Sequence, residues 1–287
     1  MDAAATNLDV GIGYSLAGLL VGLAVGATGV GGGSLMTPVL ILFYGISPKL
    51  AVGTDLLYAC ISKAFGVLLY RRNGSVDWAI VGWQALGSVP AALLTLLWLR
   101  HLGDSGGLDR LIKLTLSSAI VITATFTLFQ DAITARFRPN PPSDGPGINP
   151  VLRRVLTVAS GALIGCVVTI SSVGAGVIGM MLLLLLYPKH APVKLVGSDL
   201  AHAVLITAIA GLGHAKLGSV NYPLLGWLLL GAMPGILIGS RIGFRLDSQV
   251  LKRAVACLLL VVGSMSLYNV LGKPSPVAQA SAAALPR

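Results

Sequence analysis

The stretch Thr28-Gly29-Val30-Gly31-Gly32-Gly33-Ser34-Leu35 returns in the second half of the chain as Ser171-Ser172-Val173-Gly174-Ala175-Gly176-Val177-Ile178. In both places a long apolar run ends and a half-length one begins. Glycine at that density frees the backbone from helical geometry. Inside a bilayer, such backbone is tolerated only where it is buried in protein or faces water. The helix that follows presents free N–H groups and the positive end of its dipole, a combination that binds anions. A glycine-rich turn in a dinucleotide-binding fold needs flanking strands, and the pattern offers none. A tight helix–helix crossing is the plainer use of the same glycines.

Outward from these two points, the chain divides into apolar runs at 10–29, 33–46, 50–70, 77–99, 110–130, 154–172, 176–188, 193–215, 222–244 and 252–271. A helix crosses a bilayer with about 20 residues. Eight runs reach that length, and 33–46 and 176–188 fall well short of it. Between residues 136 and 150 lies the polar segment RFRPNPPSDGPGINP, whose five prolines mark a linker.

The linker separates two copies of one pattern. Gly53-Thr54-Asp55-Leu56 matches Gly197-Ser198-Asp199-Leu200, Gly74–Trp78 matches Gly218–Tyr222, and Gly87–Pro90 matches Gly231–Pro234, all at an offset of 144 residues. Val30–Gly33 matches Val173–Gly176 at an offset of 143. The expected organisation is therefore a first repeat over 1–135, a linker over 136–150, a second repeat over 151–272 and a flexible tail over 273–287. If every run crosses, each repeat has an odd number of crossings and the second enters the membrane from the opposite side. With the N-terminus outside, twelve Lys or Arg face the cytoplasm and seven face out, in the sense of the positive-inside rule. If the short runs are re-entrant, this argument for inversion lapses. Small residues spaced by four, Gly18, Gly22 and Gly26 in the first run and Gly231, Gly235, Gly239 and Gly243 in the ninth, predict closely packed helices.

Composition excludes most other classes. Of the 287 residues, 55% are hydrophobic and 10% charged, where soluble domains carry about 25% charged. The mean hydropathy is +0.86. A soluble enzyme, a nucleic-acid binder and a disordered chain do not fit, and the continuous runs do not fit a transmembrane β-barrel. The expected fold is an all-α polytopic membrane protein of two repeats, inverted, each of about five hydrophobic segments with one short or broken helix. The net charge of +10 is assigned to loop residues that orient the chain. Cys60, Cys166 and Cys257 lie in apolar runs and suggest neither a disulfide framework nor a zinc site. Asp2 and Asp9, with no basic segment, give no sign of a cleavable signal peptide.

Few ionisable residues fall inside the runs. Asp55 and Asp199 occupy matching positions, and a carboxylate at bilayer depth faces a cavity or a partner. They read either as proton or cation coupling sites or as helix caps. Lys63 lies two helical turns beyond Asp55, far from either end of its run, and reads as a positive charge for an anion or for Asp55. His202 follows Asp199 by one turn and reads as a proton relay or as a structural histidine. An intramembrane serine protease built on Val158-Ala159-Ser160-Gly161 with His202 or His214 fits poorly, because Val158 stands where such a turn needs glycine. No enzyme activity, cofactor or ATP-binding motif is expected.

Gly29–Leu40 (GVGGGSLMTPVL), Ser47-Pro48, Ala51–Leu57 (AVGTDLL) and Gly74–Trp78 (GSVDW) together resemble the TauE/SafE family of sulfite exporters and sulfonate permeases, over Gly18 to Leu271. The resemblance implies a multi-pass carrier of small anions, such as sulfite or an organosulfonate, in a bacterial inner membrane. Members often show serine where this chain has Asp55 and Asp199, a departure that points to a proton-coupled subgroup or to a substrate with a cationic part. The substrate site is expected at Thr28, Gly31, Gly32, Gly33, Ser34, Lys63, Ser171, Ser172, Gly174 and Gly176, with Asp55, Asp199 and His202 carrying coupling protons. The competing expectations are a small-anion channel and a metal or amine carrier using Asp55 and Asp199.

Overall fold

The computed structural model describes residues 2–28, 35–70, 76–102, 106–137, 149–243 and 248–272. Among them are ten helices and no strand: α1 (Asp2–Thr28), α2 (Met36–Leu42), α3 (Pro48–Tyr70), α4 (Trp78–Leu102), α5 (Gly106–Phe137), α6 (Pro150–Ser171), α7 (Val177–Leu186), α8 (Pro192–Lys216), α9 (Tyr222–Gly243) and α10 (Ser248–Gly272). Six of them, α1, α4, α5, α6, α8 and α9, are long and apolar enough to cross a membrane. The 23 residues of α3 are also long enough, but they include Lys49, Asp55 and Lys63. At about 1.5 Å per residue, α7 spans roughly 15 Å, half of a hydrocarbon core. The run read over 110–130 continues as helix to Phe137, two residues into the segment expected as a linker. The tail after Gly272 lies outside the described residues.

Local chemistry sets several helix ends. The Asn149 side chain accepts from the Val151 amide at 3.0 Å, with Pro150 in the first turn of α6. Asp77 Oδ1 accepts from the Ala79 amide at 3.0 Å at the start of α4. Asn221 Oδ1 accepts from the Leu224 amide at 3.1 Å at the start of α9. These two caps are matched positions in the duplicated pattern. A second pair of bonds ties the halves together reciprocally. The Asn221 amide donates to Thr54 Oγ1 at 3.0 Å, and the Asp77 amide donates to Ser198 Oγ at 2.8 Å.

Helices pack in pairs, α1 against α9, α4 against α6, α5 against α10 and α3 against α8. The first is made by the glycines read as ladders, and the second by Gly87, Gly161 and Gly165. A Cβ placed at Gly22 would stand 2.6 Å from the Ala232 carbonyl oxygen, and one at Gly235 would stand 2.5 Å from that of Leu19. At positions matched by the offset, Gly165, the counterpart of Gly22, lies against the backbone of Ser88, and Gly87, the counterpart of Gly231, lies against that of Val158 as Gly231 does against that of Ser15. Backbone contact this close is what small residues permit in lipid, where no hydrophobic effect draws helices together. The outer faces stay apolar: Leu94 is 66% and Leu230 65% exposed, as expected of side chains that meet lipid. Inside, Val52, Leu56, Ala92, Ile164, Val168, Ala203 and Ile206 form a core shared by α3, α4, α6 and α8, and the polar cluster described next lies among these helices.

Candidate functional site

The second glycine-rich stretch is a true break. Ser172 ends α6 in the left-handed region at φ 60°, and Gly174 and Gly176 have φ 107° and 127° before α7 begins. A side chain is strained at such angles, so the two glycines are required by the backbone. The adjacent serines divide their roles. Ser171 Oγ donates to the Val167 carbonyl at 2.7 Å and accepts from the Val173 amide at 3.2 Å, which holds the turn. The Ser172 hydroxyl is buried beside the Asp55 carboxylate, without a well-formed hydrogen bond to it. In the first copy, Gly31, Gly32, Gly33 and Ser34 lie outside the described residues, and Thr28 is the last residue of α1.

Lys63 reaches across from α3 to this break. Its Nζ donates to the Ala175 carbonyl at 2.7 Å, and the side chain is 3% exposed. It lies within electrostatic reach of both Asp55 and Asp199. Each aspartate sits inside its helix, seven residues past Pro48 and Pro192 respectively. Capping of their own helices, one of the two readings from sequence, is therefore excluded. Asp55 is fully buried. Its Oδ2 accepts from Thr37 Oγ1 on α2, and its Oδ1 has no partner. Asp199 is 5% exposed and packs on the first turn of α7: a Cβ at Gly179 would overlap its Oδ1 and stand 3.2 Å from its Cγ.

His202, one turn beyond Asp199, is buried and shares a 2.8 Å hydrogen bond between its Nε2 and Ser88 Oγ on α4. His214 is bound to the Thr169 carbonyl at 2.9 Å. Sequence reading did not single out Thr37, Tyr58, Ser62, Gln84 or Ser88. All five are buried, and the side-chain polar atoms of Tyr58, Ser62 and Gln84 have no partner. The signal for Tyr58 was available, since the offset of 144 that pairs Asp55 with Asp199 also pairs Tyr58 with His202. Gln84 carries its own signal as a lone amide in an apolar run.

The structure thus brings together Asp55, Lys63, Ser172 and Asp199 around the entry to α7, with His202 bordering them. The cluster holds two carboxylates to one ammonium, with buried hydroxyls that can donate. A pocket of about 250 Å³ beside the break is lined by Ile164, Val168, Gly174, Ile178, Met181 and Leu182, with Thr115 and Ser118 among the rest, and its wall is mostly apolar. Among the described residues, no group of three or more His, Cys, Asp or Glu is placed to hold a metal ion.

A bundle of membrane-length helices around a broken helix and a buried charge cluster is the architecture of a membrane transporter. The comparisons with known proteins agree. The family model described as Sulfite exporter TauE/SafE matches residues 14–265, and the chain belongs to that family. The Probable membrane transporter protein YjnA of Bacillus subtilis (strain 168) is 37% identical over 250 residues, covering 86% of this chain and 96% of the relative. The Probable membrane transporter protein YdhB of the same organism is 26% identical over 257 residues, covering 87% and 97%. No solved structure matches the chain.

Proposed function

We propose that this chain is a secondary transporter that carries sulfite or a small organosulfonate outward across a bacterial inner membrane. Its energy comes from the gradient of the cargo or of protons. The observation that carries the reading is the buried Lys63 ammonium on the Ala175 carbonyl at the start of α7, with the buried Ser172 hydroxyl in the same break beside Asp55. A buried lysine and a buried hydroxyl at a helix break are donors from which a tetrahedral or pyramidal oxyanion can accept hydrogen bonds. Asp55 and Asp199 supply exchangeable protons beside that lysine, and His202 extends the set towards α4.

The reading includes two repeats of five helices in opposite senses, one rocking against the other to expose the cluster alternately. The reciprocal bonds Asn221–Thr54 and Asp77–Ser198 support a twofold relation, as do the glycine contacts that recur at matched positions.

Proteoliposomes loaded with sulfite provide the test. Efflux should saturate with internal sulfite, exceed the rate from protein-free vesicles at least tenfold and respond to an imposed pH gradient. Efflux no faster than from protein-free vesicles contradicts the reading. Two carboxylates to one lysine favour a second reading, a cation carrier. Flux of Mn²⁺ or of an alkylamine, with none of sulfite, would establish that alternative. A channel would show flux that rises without saturation.

A further inference from the structure

We propose that the Asp199 carboxylate is a tethered competitor for the cargo anion, so that each monovalent anion binds together with one proton. This rests on the anion-carrier reading above and adds the coupling rule and the charge class of the cargo. The argument starts from place. The Asp199 carboxylate already lies on the first turn of α7, against Gly179, where the helix end favours negative charge. Lys63, the one cation at the cluster among the described residues, holds the carbonyl that immediately precedes that turn. An incoming anion therefore seeks the position and the positive charge that Asp199 already uses.

Charge counting sharpens the conflict. Fully ionised, Asp55, Lys63 and Asp199 sum to −1, all at 5% exposure or less. An unpaired charge in such surroundings is costly. Adding an anion to the ionised cluster brings it to −2. Protonating Asp199 leaves Asp55 and Lys63 as a neutral pair, frees the end of α7 and restores the original sum once a monoanion enters. The proton goes onto the Asp199 carboxylate as the anion takes its place. No covalent bond changes, and the pair moves without net charge.

The groups that act on this carboxylate bear the proposal out by their sparsity. From α3 it feels the charge of Lys63, which in turn feels Asp55 and Cys60. On its own helix His202 is held by Ser88 of α4. From α7 it meets Gly179, with Ile164 of α6 alongside. Among the described residues, no second cation is present to take the place of the proton.

The test uses ethanesulfonate, whose charge is fixed over the working range, with the detergent-solubilised full-length protein in weak buffer containing a pH indicator. Binding should take up about one proton per ethanesulfonate bound, and affinity should rise by up to about tenfold for each unit of acidification. D199N should bind ethanesulfonate with no proton uptake and little pH dependence. Ethanesulfonate binding without proton uptake in the unsubstituted protein overturns the inference and leaves the carrier reading standing. Failure of both ethanesulfonate and sulfite to bind at any pH overturns the carrier reading, and this inference with it.

Discussion

Replacement of Lys63 by alanine is expected to reduce sulfite or sulfonate transport by at least about a hundredfold and to destabilise the fold. The ammonium is 3% exposed and bonded to the Ala175 carbonyl at 2.7 Å. Its removal leaves that carbonyl without its lysine donor and two buried carboxylates without their cation. Breaking a buried charge group in this way costs about 3–5 kcal/mol, and about 3 kcal/mol is already two orders of magnitude in an equilibrium. The double variant K63A/D199N separates the two effects. Removing one carboxylate relieves the charge imbalance, so thermal stability should recover in part relative to K63A. Transport should not recover, because the positive charge for the anion is still missing. Recovery of transport in the double variant would show that Lys63 serves only to balance Asp199.

The second large effect concerns the helix pairs that frame the site. Gly231→Leu and Gly87→Leu should each lower stability by about 3 kcal/mol, the upper end of the usual cost of overpacking. At both positions the neighbour is backbone, the Ser15 carbonyl for Gly231 and the Val158 carbonyl for Gly87. A helix backbone cannot move aside as a side chain can, so α9 must separate from α1, or α4 from α6. Gly82→Leu and Gly226→Leu are the controls, since a Cβ at either would meet nothing within 4 Å. They should change stability by less than about 1 kcal/mol. Thermal unfolding of the four purified variants in detergent checks the contrast, and equal losses at all four would discredit the packing account.

Much of this was legible from the sequence because a bilayer imposes a simple code. Continuous apolar runs located all ten helices, and the half-length runs located α2 and α7. The glycine cluster at Gly174 and Gly176 announced the break, since positive φ is a backbone demand that sequence records directly. Spacing by four announced the glycine faces of α1 and α9. The interior of the site was less legible. Nothing in the run around Lys63 says that its ammonium would reach the Ala175 carbonyl 112 residues away. That contact depends on where α3 passes the break between α6 and α7. In the same way, the placement of Asp199 against Gly179 follows from the packing of α8 on α7. Thr37 and Ser88 read as ordinary hydroxyls in apolar helices until those helices are brought against Asp55 and His202.

The account depends above all on the anion reaching the buried cluster at the α6–α7 break. Labelling of Ser172→Cys, in a background with Cys60, Cys166 and Cys257 replaced by serine, addresses this directly. Ser172 is 1% exposed in the described conformation, so a water-borne thiol reagent can reach it only when the cluster opens. The account predicts slow labelling by a methanethiosulfonate reagent, suppressed at least about tenfold by saturating ethanesulfonate and unaffected by an equal concentration of neutral sulfone. Labelling that proceeds at the same rate with and without ethanesulfonate would contradict it.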